Sequence, residues 1–497
     1  MLRPSEMGIK VDKDQKMPPY LQIALAIIEE IRRGRLQPGG ALPGTRDLAE
    51  QLGVNRKTVI LAYDELTAQG WLTPERARGT FVSPRLPTAQ PAAFAFRPVE
   101  TAPMPQEPDF RLPGQKTRVD ILLPEPGVLM FDDGAPDTRL VPVNEMARAY
   151  RRSLLSLSRD NLLGYGDPRG ARALRRSISA MLNADRGLNT TADTICLTRG
   201  SQMAIFIAAR VLTQAGDTAV LESLSYPPAR EAFLANGVEV VTARVDEKGM
   251  RLDDLEKLCR NKRVRCVYLT PHHQFPTTVL LPPERRLRLL ALADQFGFAI
   301  IEDDYDHDFH FSHRPMLPLA SADQWGKVAY IGSLSKLLTP SLRSGYIVGA
   351  KRFVDRVAEE ILLIDRQGDP ATELAVAEMM EAGEIRRHAR KVLRIYDDRR
   401  MLFADLLKRH FGSAIDFELP DGGLAFWVRF AENVDVGELV LSAARHGVKI
   451  LPGATYSMSG EPTSGLRLGF ASLNERELTE AVSRLASSWQ RLGLGDA

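Results

Sequence analysis

Apolar residues recur at helical spacing through the first part of the chain. The first such face predicts a helix from Leu21, Ala24, Ile28 and Ile31. Two more helical patterns follow on either side of a turn at Gly53, and Thr45 and Asn55 are the residues that could cap them. Apolar runs at 71–73 and 79–82 predict two short strands. Residues 18–83 are therefore expected to form one module of three helices and a hairpin.

A different alternation begins at Thr194, where short apolar runs take turns with helical patterns. Seven runs predict strands, at 195–197, 219–222, 238–242, 264–270, 298–302, 328–332 and 346–348. Helical patterns at 202–212 and 283–296 lie between them. Such alternation is typical of an α/β domain with a mainly parallel sheet. From about Asp369 onward, a helical pattern at 385–409 and strands at 426–430 and 466–470 predict a smaller α+β lobe.

The stretch between these two parts has another character. From Pro84 to about Val128 prolines are frequent and apolar runs are short, which is typical of a semi-rigid tether. The predicted organisation is therefore a module at 18–83, a linker at 84–128 and a large domain at 129–497.

Length and composition limit the number of domains, the kind of nucleic-acid surface and the cellular compartment that we expect. The chain of 497 residues is long enough for two or more domains. Its 65 basic and 63 acidic residues leave a net charge of +2, so a nucleic-acid surface would have to be local. Three cysteines without metal-like spacing favour a reduced cytosol. Because no apolar run approaches the roughly 18 residues of a membrane span, we expect a cytoplasmic protein that does not enter the membrane.

The order of helix, glycine turn, helix and hairpin is the pattern of a winged helix-turn-helix. The second helix of that motif lies in the major groove of DNA, with its first residues nearest the bases. Asn55, Arg56, Lys57 and Thr58 occupy this position, and their donors suit phosphates and base edges. The other basic candidates are Arg46, Arg76 and Arg78. The alternative is a small helical docking domain whose charges are simply solvated.

A lysine that follows an apolar strand is the main candidate for chemistry in the large domain. Lys336 comes after the run at 328–332, is flanked by Ser333 and Ser335, and precedes Arg343. Lysine forms a Schiff base with an aldehyde, whereas hydroxyls and an arginine suit a phosphate. Pyridoxal 5'-phosphate carries both groups, so this stretch suggests that cofactor. The alternative is a solvated lysine in a loop.

Polar residues also follow other predicted strands, at the edge where sites in parallel sheets form. Ser201 and Gln202 open a helix, and the amides at a helix N-terminus favour a phosphate. Tyr226 could stack on a flat ring or pack against the prolines that follow it. The acidic run at 302–306 could place a carboxylate beside a pyridine nitrogen; a magnesium-type cluster and a solvated loop are the alternatives.

Two adjacent histidines, His272 and His273, close another predicted strand. Adjacent residues of a strand point to opposite faces, and no third ligand is evident nearby. A metal site is therefore not expected.

The N-terminal module resembles the GntR winged-helix family. The resemblance covers about 65 residues and rests on the segments 19–23, 34–39, 42–49, 52–59, 62–63 and 79–82. It implies a winged helix that binds operator DNA.

From about Val128 to the C-terminus the chain resembles fold-type-I pyridoxal phosphate enzymes of the aminotransferase class. The fusion as a whole resembles the MocR subfamily of GntR regulators. The further family-like segments are 165–170 and 465–470. Phe275 departs from the asparagine that many aminotransferases place before the turn at 276–278 to bond the ring oxygen. This departure agrees with the regulator branch and argues against efficient transamination.

The resemblance assigns roles to individual residues. Lys336 would carry the internal aldimine, and Asp303 would hold the ring nitrogen, with Asp304 as the less favoured neighbour. Tyr305 would contact the ring hydroxyl, and Tyr226 would stack on the ring. The remaining roles are a phosphate cradle of Ser201, Gln202, Ser333 and Arg343, a carboxylate clamp at Arg467, and Tyr165 reaching the site of a partner subunit.

These residues and the resemblance imply a pyridoxal-phosphate-dependent transcriptional regulator. It would sense the cofactor itself or an amino compound through the aldimine on Lys336, and it would act as a homodimer on operator DNA. One alternative is an active aminotransferase that carries a DNA-binding appendage. Another is a scaffold whose cofactor site is unused.

Overall fold

The computed structural model describes residues 9–12, 15, 17–75, 78–87, 109–112, 123–311, 316–431 and 434–493. The chain divides into two compact units, Met1–Leu112 and Pro113–Ala497. Most of the predicted linker at 84–128 lies outside the described residues. Among the helices that the structure describes, none combines the length and the apolar character that a membrane span requires.

The N-terminal unit contains the three helices and the hairpin that the sequence predicts. They are α1 (Pro19–Arg32), α2 (Thr45–Leu52), α3 (Arg56–Ala68), β1 (Leu72–Glu75) and β2 (Gly79–Val82). The two strands pair antiparallel, with Leu72 opposite Val82. The buried face of α1 runs through Ile23 and Ile27, while Leu21 is only half-buried. Apolar side chains from all three helices thus share one core.

The turn between α2 and α3 depends on two residues. Gly53 ends α2 in the left-handed conformation with φ of 61°, which glycine adopts without strain. Asn55 caps α3, because its side chain accepts a hydrogen bond of 2.9 Å from the Lys57 amide, as predicted. The predicted cap at Thr45 is wrong: Gly44 precedes α2, Thr45 is already its first helical residue, and its hydroxyl instead accepts a bond from Arg56.

The large unit alternates strands and helices over most of its length. In its first half these are β3 (Leu129–Phe131), α4 (Val143–Arg159), α5 (Arg172–Asp185), β4 (Ile195–Thr198), α6 (Gly200–Leu212), β5 (Thr218–Glu222), α7 (Pro227–Ala235), β6 (Glu239–Ala243), β7 (Val245–Asp246), β8 (Gly249–Met250), α8 (Leu252–Asn261), β9 (Val264–Leu269) and α9 (Pro283–Phe296). The second half contains β10 (Ala299–Asp304), β11 (Val328–Ser333), β12 (Gly345–Val348), α10 (Lys351–Ile364), α11 (Pro370–Glu381), α12 (Glu384–Phe411), β13 (Ile415–Asp416), β14 (Ala425–Phe430), α13 (Val436–Arg445), β15 (Val448–Ile450), β16 (Gly465–Gly469) and α14 (Glu475–Arg491).

Seven strands form the central sheet in the order β4-β12-β11-β10-β9-β5-β6. All neighbours are parallel except β12, which runs antiparallel to both β11 and β4. This confirms the predicted α/β domain with a mainly parallel sheet. Strands β9, β10 and β11 are adjacent, so their carboxyl ends bring the loop after β9, the acidic run and Lys336 to one edge.

Helices cover both faces of this sheet, because its strands are apolar on both sides. Residues of α6, α7 and α10 pack on one face, and residues of α8 and α9 pack on the other. A third core joins α4, α5, α11 and α12 to the three-stranded sheet β13-β14-β16. This last sheet belongs to the predicted smaller α+β lobe, and it carries Arg467 on β16.

Candidate cofactor site and nucleic-acid interface

Lys336 lies just beyond β11, at the edge where the parallel strands end. Its Nζ donates a hydrogen bond of 3.0 Å to the carbonyl of Gly134 and lies 4.5 Å from the centre of the Tyr305 ring. Burial lowers the pKa of the Lys336 ammonium, although the carboxylates of Asp133 and Asp306 oppose this shift. A lowered pKa leaves more of the amine neutral, which is the nucleophilic form.

Asp303 lies in β10, beside the strand that leads to Lys336. The Tyr268 hydroxyl donates a hydrogen bond of 2.8 Å to its Oδ2, while its Oδ1 is buried and has no partner among the described residues. Burial raises the pKa of Asp303 to about 7. Asp304 belongs to different surroundings, since its Oδ2 accepts a bond of 2.6 Å from the Tyr330 hydroxyl. The structure therefore separates the two acids, as alternation along a strand requires.

The predicted phosphate residues meet at the start of α6. No described side chain caps this helix, so its first amides are free to bind an anion. Arg343 lies against this turn, where its Nη2 donates a bond of 2.9 Å to the carbonyl of Arg199. Ser201 and Gln202 belong to the first turn of α6, and the side-chain Nε2 of Gln202 donates a hydrogen bond of 3.2 Å to the carbonyl of Pro228.

Ser333 completes the predicted phosphate set at the end of β11. Its hydroxyl oxygen accepts a bond of 3.2 Å from the Ser335 amide, which orients the turn that carries Lys336. The four residues proposed for the phosphate thus come from the end of β11, the turn before β12 and the start of α6.

Aromatic side chains line a cavity of about 590 Å³ between these groups. Phe275 lies at their centre, with ring centroids 5.3 Å from Tyr226, 5.9 Å from Tyr305 and 5.4 Å from Tyr456. Gln202 and Arg343 line the same cavity, which places the phosphate corner and the aromatic wall around one space. Phe275 presents a ring where an asparagine would present an amide, in line with the departure noted in the sequence.

Arg467 reaches the site from the smaller lobe and is 1% exposed. Its guanidinium donates to the carbonyl of Asp133 at 2.8 Å, to the carbonyl of Pro276 at 2.8 Å and to the Tyr305 hydroxyl at 3.3 Å. It also lies 4.4 Å from the centre of the Phe275 ring. Three of its five donors are therefore used by oxygens of the protein.

Tyr305 and Tyr165 lie in different positions relative to the cavity. The Tyr305 hydroxyl donates a bond of 3.2 Å to the carbonyl of His273, while its ring packs against Phe275. Tyr165 is 81% exposed, and the Arg366 guanidinium lies 4.8 Å from its ring centre. The structure does not bring Tyr165 into the cavity of its own chain, so its assignment to a partner's site stays a prediction.

Sequence reasoning missed two groups that complete the site. Tyr268 donates a hydrogen bond to Asp303. The sequence feature that could have indicated it is a polar hydroxyl within the mainly apolar run of β9. Asp133 and Gly134 follow β3 and contact Arg467 and Lys336 through their carbonyl oxygens, although they are about 200 to 330 residues away in sequence. Nothing local in the sequence marks such distant pairs, because they depend on how the lobes fold together.

Most of the predicted DNA-binding residues lie in the first turns of α2 and α3. Asn55, Arg56 and Lys57 are exposed at the start of α3, whereas Thr58 is half-buried. The exposed Arg46 lies in the first turn of α2, and the Arg56 Nε donates a bond of 3.3 Å to Thr45 between the two helices.

Two wing arginines were also predicted. Arg78 is exposed, pairs with Glu75 at 2.6 Å and lies 5.6 Å from the centre of the Phe81 ring. The Glu75 carboxylate therefore offsets part of its charge. Arg76 lies outside the described residues.

Comparison with known proteins assigns a family to each unit. Residues 19–82 match the family described as bacterial regulatory proteins, gntR family, and residues 127–485 match aminotransferase class I and II. Over its whole length the chain is similar to the probable rhizopine catabolism regulatory protein MocR of Rhizobium meliloti. The two are 30% identical over 482 residues, which is 97% of this chain and 96% of the relative.

The chain belongs to the MocR subfamily of GntR regulators. The HTH-type transcriptional regulator TauR of Rhodobacter capsulatus is another relative, 30% identical over 93% of this chain and 94% of its own length. By contrast, the aromatic-amino-acid aminotransferase 1 of Thermococcus litoralis matches 73% of this chain and 88% of its own, at 28% identity. The predicted identity as a MocR-type transcriptional regulator is thus confirmed.

Solved structures agree with the fold of the large unit. The α-aminoadipate aminotransferase LysN of Thermus thermophilus, solved with N-(5'-phosphopyridoxyl)-L-leucine, superposes with a TM-score of 0.68. It is 27% identical, and the match covers 74% of this chain and 93% of that one. The aminotransferase class I and II fold of this MocR-type chain indicates pyridoxal 5'-phosphate as its cofactor, as predicted.

The described side chains fit this cofactor. Asp303 offers a buried oxygen without a partner, which suits a protonated pyridine nitrogen. A Cβ at Gly200 would lie 3.0 Å from the Arg343 guanidinium, so the missing side chain lets Arg343 approach the free amides of α6. An arginine beside helix N-terminal amides suits a phosphate. Lys336 supplies the amine that an aldehyde requires.

Proposed function

We propose that this MocR-type chain binds operator DNA in a manner that depends on pyridoxal phosphate and on an amino compound bound at Lys336. One observation carries the proposal: Lys336, with its lowered pKa, and the unpartnered oxygen of Asp303 lie at the same strand edge, beside the aromatic cavity. The same chain presents exposed Arg56 and Lys57 at the start of its recognition helix.

Each residue of the proposed cofactor site has a distinct task. The cofactor supplies an aldehyde that exchanges amines and a ring that withdraws electrons. Lys336 provides the amine, and Asp303 keeps the ring nitrogen protonated. Arg343 with the α6 amides holds the phosphate, and Tyr226 covers the ring. Ser201, Gln202 and Ser333 add donors to the phosphate, and Tyr305 is assigned to the ring hydroxyl.

The proposed effector carries a primary amine and a carboxylate. The amine is required to compete with Lys336, and the carboxylate suits Arg467, whose two remaining N–H groups can bind it. Arg467 belongs to β16 of the smaller lobe, while Lys336 follows β11 of the large sheet. A ligand that bridges the two residues would therefore stabilise one arrangement of the lobes over another.

A binding assay with full-length protein tests this proposal. Affinity for the DNA upstream of its own gene is measured at one fixed salt concentration, because phosphate contacts make affinity strongly salt-dependent. We expect specific binding that changes when pyridoxal phosphate, or an amino acid in its presence, is added. The Lys336→Ala variant should bind the DNA but lose this response. A full response in Lys336→Ala would refute the role of the lysine.

The second candidate function is an aminotransferase that carries a DNA-binding appendage. It is favoured by the presence of Lys336, Asp303 and Arg467 in one site, since these are the groups that such chemistry requires. Sustained conversion of an amino donor to its keto acid, lost in Lys336→Ala, would support it. Intact DNA binding without any turnover would exclude it.

The proposed assembly is a homodimer in which Tyr165 contacts the cofactor site of the partner subunit. The 81% exposure of Tyr165 within its own chain supports this assignment. The oligomeric state is measured by light scattering. Mixing Tyr165→Ala and Lys336→Ala chains then tests for shared sites. In each dimer formed by one chain of each variant, one of the two sites would have both native residues and the other would have neither.

A further inference from the structure

Three polar side chains meet behind the proposed cofactor site, at the carboxyl ends of β9 and β10. His272 follows β9, Asp304 is the last residue of β10, and His307 lies three residues further on. All three are buried, with exposures of 3%, 2% and 5%. One ligand atom from each residue lies within 4.8 Å of those of the other two.

Two of the three side chains have unused hydrogen-bonding atoms. His272 Nδ1 and Asp304 Oδ1 are each buried without a hydrogen-bond partner among the described residues, whereas His307 Nδ1 faces the other oxygen of Asp304. Leaving a buried polar atom unpaired costs about 1–3 kcal/mol, so native proteins rarely tolerate several together. The His272 and His307 rings lie 4.6 Å apart, and His307 Nδ1 is 3.0 Å from Asp304 Oδ2. Their convergence points to a common partner.

We propose that His272, Asp304 and His307 bind a divalent transition-metal ion, with Zn²⁺ as the best match. Two imidazoles and one carboxylate are ligands that zinc accepts, at about 2.0–2.2 Å in a tetrahedral arrangement. Ligand atoms at that distance are roughly 3.3–3.5 Å apart. The most distant atoms of the cluster would therefore close by about 1.4 Å, which small side-chain rotations provide.

A cavity borders the cluster on the side of His272. His272 lines a cavity of about 500 Å³ together with His273, His310, Glu418 and other residues. An ion could enter by this route, and a water could complete its coordination, as in sites with three protein ligands. The sequence showed no third ligand beside His272 and His273, because Asp304 and His307 belong to the end of β10 and the segment that follows it.

Arg186 is the charge that most opposes a cation here, since it lies 3.7 Å from Asp304 Oδ2. Its guanidinium is already bound to the Tyr330 hydroxyl and, at 3.1 Å, to Asp308. The Tyr330 hydroxyl donates to the same Asp304 Oδ2 at 2.6 Å, which leaves Oδ1 free. Asp304 Oδ2 is thus occupied by Tyr330, whereas Oδ1 remains for an ion. Asp308 offsets the charge of Arg186.

A metal at this position would act on the cofactor site through the backbone. Asp304 lies between Asp303 and Tyr305, so an ion bound to it would tie the ends of β9 and β10 together and limit the movement of both site residues. The role is one of positioning. It does not depend on the proposed function, because metal binding is measured without DNA, cofactor or effector.

Metal binding is tested on untagged full-length protein. Elemental analysis after dialysis against Zn²⁺ should give one ion per chain. Replacement by Co²⁺ should give the intense visible absorption of a tetrahedral site with nitrogen and oxygen ligands. Affinity measured by calorimetry should fall as pH falls, because the ligands must lose protons to bind.

Matched variants locate the ion. His272→Ser and His307→Ser should each weaken Zn²⁺ binding by at least about 100-fold, since even outer partners of a metal ligand contribute about 10–100-fold. The control is His410→Ser, an exposed histidine near the end of α12, which should leave binding unchanged. No stoichiometric ion in the wild-type protein would overturn the proposal. So would a Co²⁺ spectrum that persists unchanged in both variants.

Discussion

Burial sets the acidity of the carboxyl group at the end of β5. Glu222 closes β5 with 1% exposure, and burial raises its pKa to about 8. Its hydrogen bonds to Thr270 are long, at 3.3 Å and 3.4 Å, and compensate only part of the cost of ionisation. The protonated form of Glu222 is therefore the one that the fold favours near neutral pH.

Replacing Glu222 by glutamine should stabilise the protein at high pH. Between pH 4.5 and about 8 the unfolded chain loses the Glu222 proton while the folded chain keeps it, so stability falls as pH rises. At about 1.4 kcal/mol per pKa unit, the full effect is on the order of 5 kcal/mol. The Tm of Glu222→Gln should exceed that of the wild type by a margin that grows from pH 4.5 to pH 8. A margin independent of pH would contradict this origin.

Asp303 provides a second prediction at the level of single residues. Asp303→Asn removes the negative charge opposite the ring nitrogen, and hydrogen bonds to charged groups contribute about 1.5–3 kcal/mol. Pyridoxal phosphate should therefore bind roughly 10–100-fold more weakly in a titration followed by visible absorbance. Tyr268→Phe keeps the charge and removes one hydrogen bond, so its effect should be smaller. Equal affinity in Asp303→Asn and the wild type would exclude this role.

At the level of elements, the bounds of helices and strands follow from local sequence pattern, whereas strand direction depends on long-range contacts. The helix predicted at 283–296 is observed as Pro283–Phe296, and the strand predicted at 328–332 is observed as Val328–Ser333. Both follow from apolar spacing and from the prolines and glycines that flank them. The antiparallel direction of β12 was not predicted, because direction depends on the path of the chain outside the strand.

The same distinction applies to the candidate site. Lys336 and Asp303 were identified because each follows a predicted strand, and Arg343 because it comes seven residues after Lys336. Tyr268 was missed because its contact with Asp303 spans 35 residues and depends on β9 and β10 being neighbours. The ligand environment of His272 was missed for the same reason. Sequence therefore predicts which strand ends carry chemistry, whereas strand order decides which side chains meet.

The recognition helix α3 yields a prediction about salt. Arg56 and Lys57 are exposed at its start, where the motif would contact phosphates. Arg56→Ala and Lys57→Ala should each weaken DNA binding and reduce the slope of log affinity against log salt by about 1. Arg33→Ala is the matched control, because it removes a charge paired with Glu29 on α1. An unchanged slope in both α3 variants would place the DNA surface elsewhere.

At the scale of the whole molecule, the proposed function requires that the two compact units communicate. The proposed division into a module at 18–83, a linker at 84–128 and a domain at 129–497 would be tested by limited proteolysis, with cuts expected between the two units. Coupling between distant sites typically amounts to 1–3 kcal/mol, or about 5–150-fold in affinity. A response of that size in DNA binding is what the effector would need to produce.

A substitution at Arg467 should separate the effect of the amino compound on DNA affinity from the binding of the cofactor. Arg467→Gln removes the partner of an effector carboxylate but none of the residues assigned to the ring or the phosphate. The variant should bind pyridoxal phosphate and DNA normally, while amino acids should no longer change its DNA affinity. Parallel titrations of cofactor and operator measure both properties. A retained response to amino acids but not to simple amines would show that another residue binds the carboxylate.

The three hydrogen bonds that Arg467 already makes have a consequence for sensitivity. Because Asp133, Pro276 and Tyr305 already supply oxygens to three of its five N–H groups, an incoming carboxylate would find only the two remaining ones. On the proposed function, a small anion such as acetate would make this one contact and no other. A ligand that also engages Lys336 would add a second contribution. The proposed site would therefore have a detection threshold, so that the regulator would ignore the background of small metabolites and respond to bifunctional molecules.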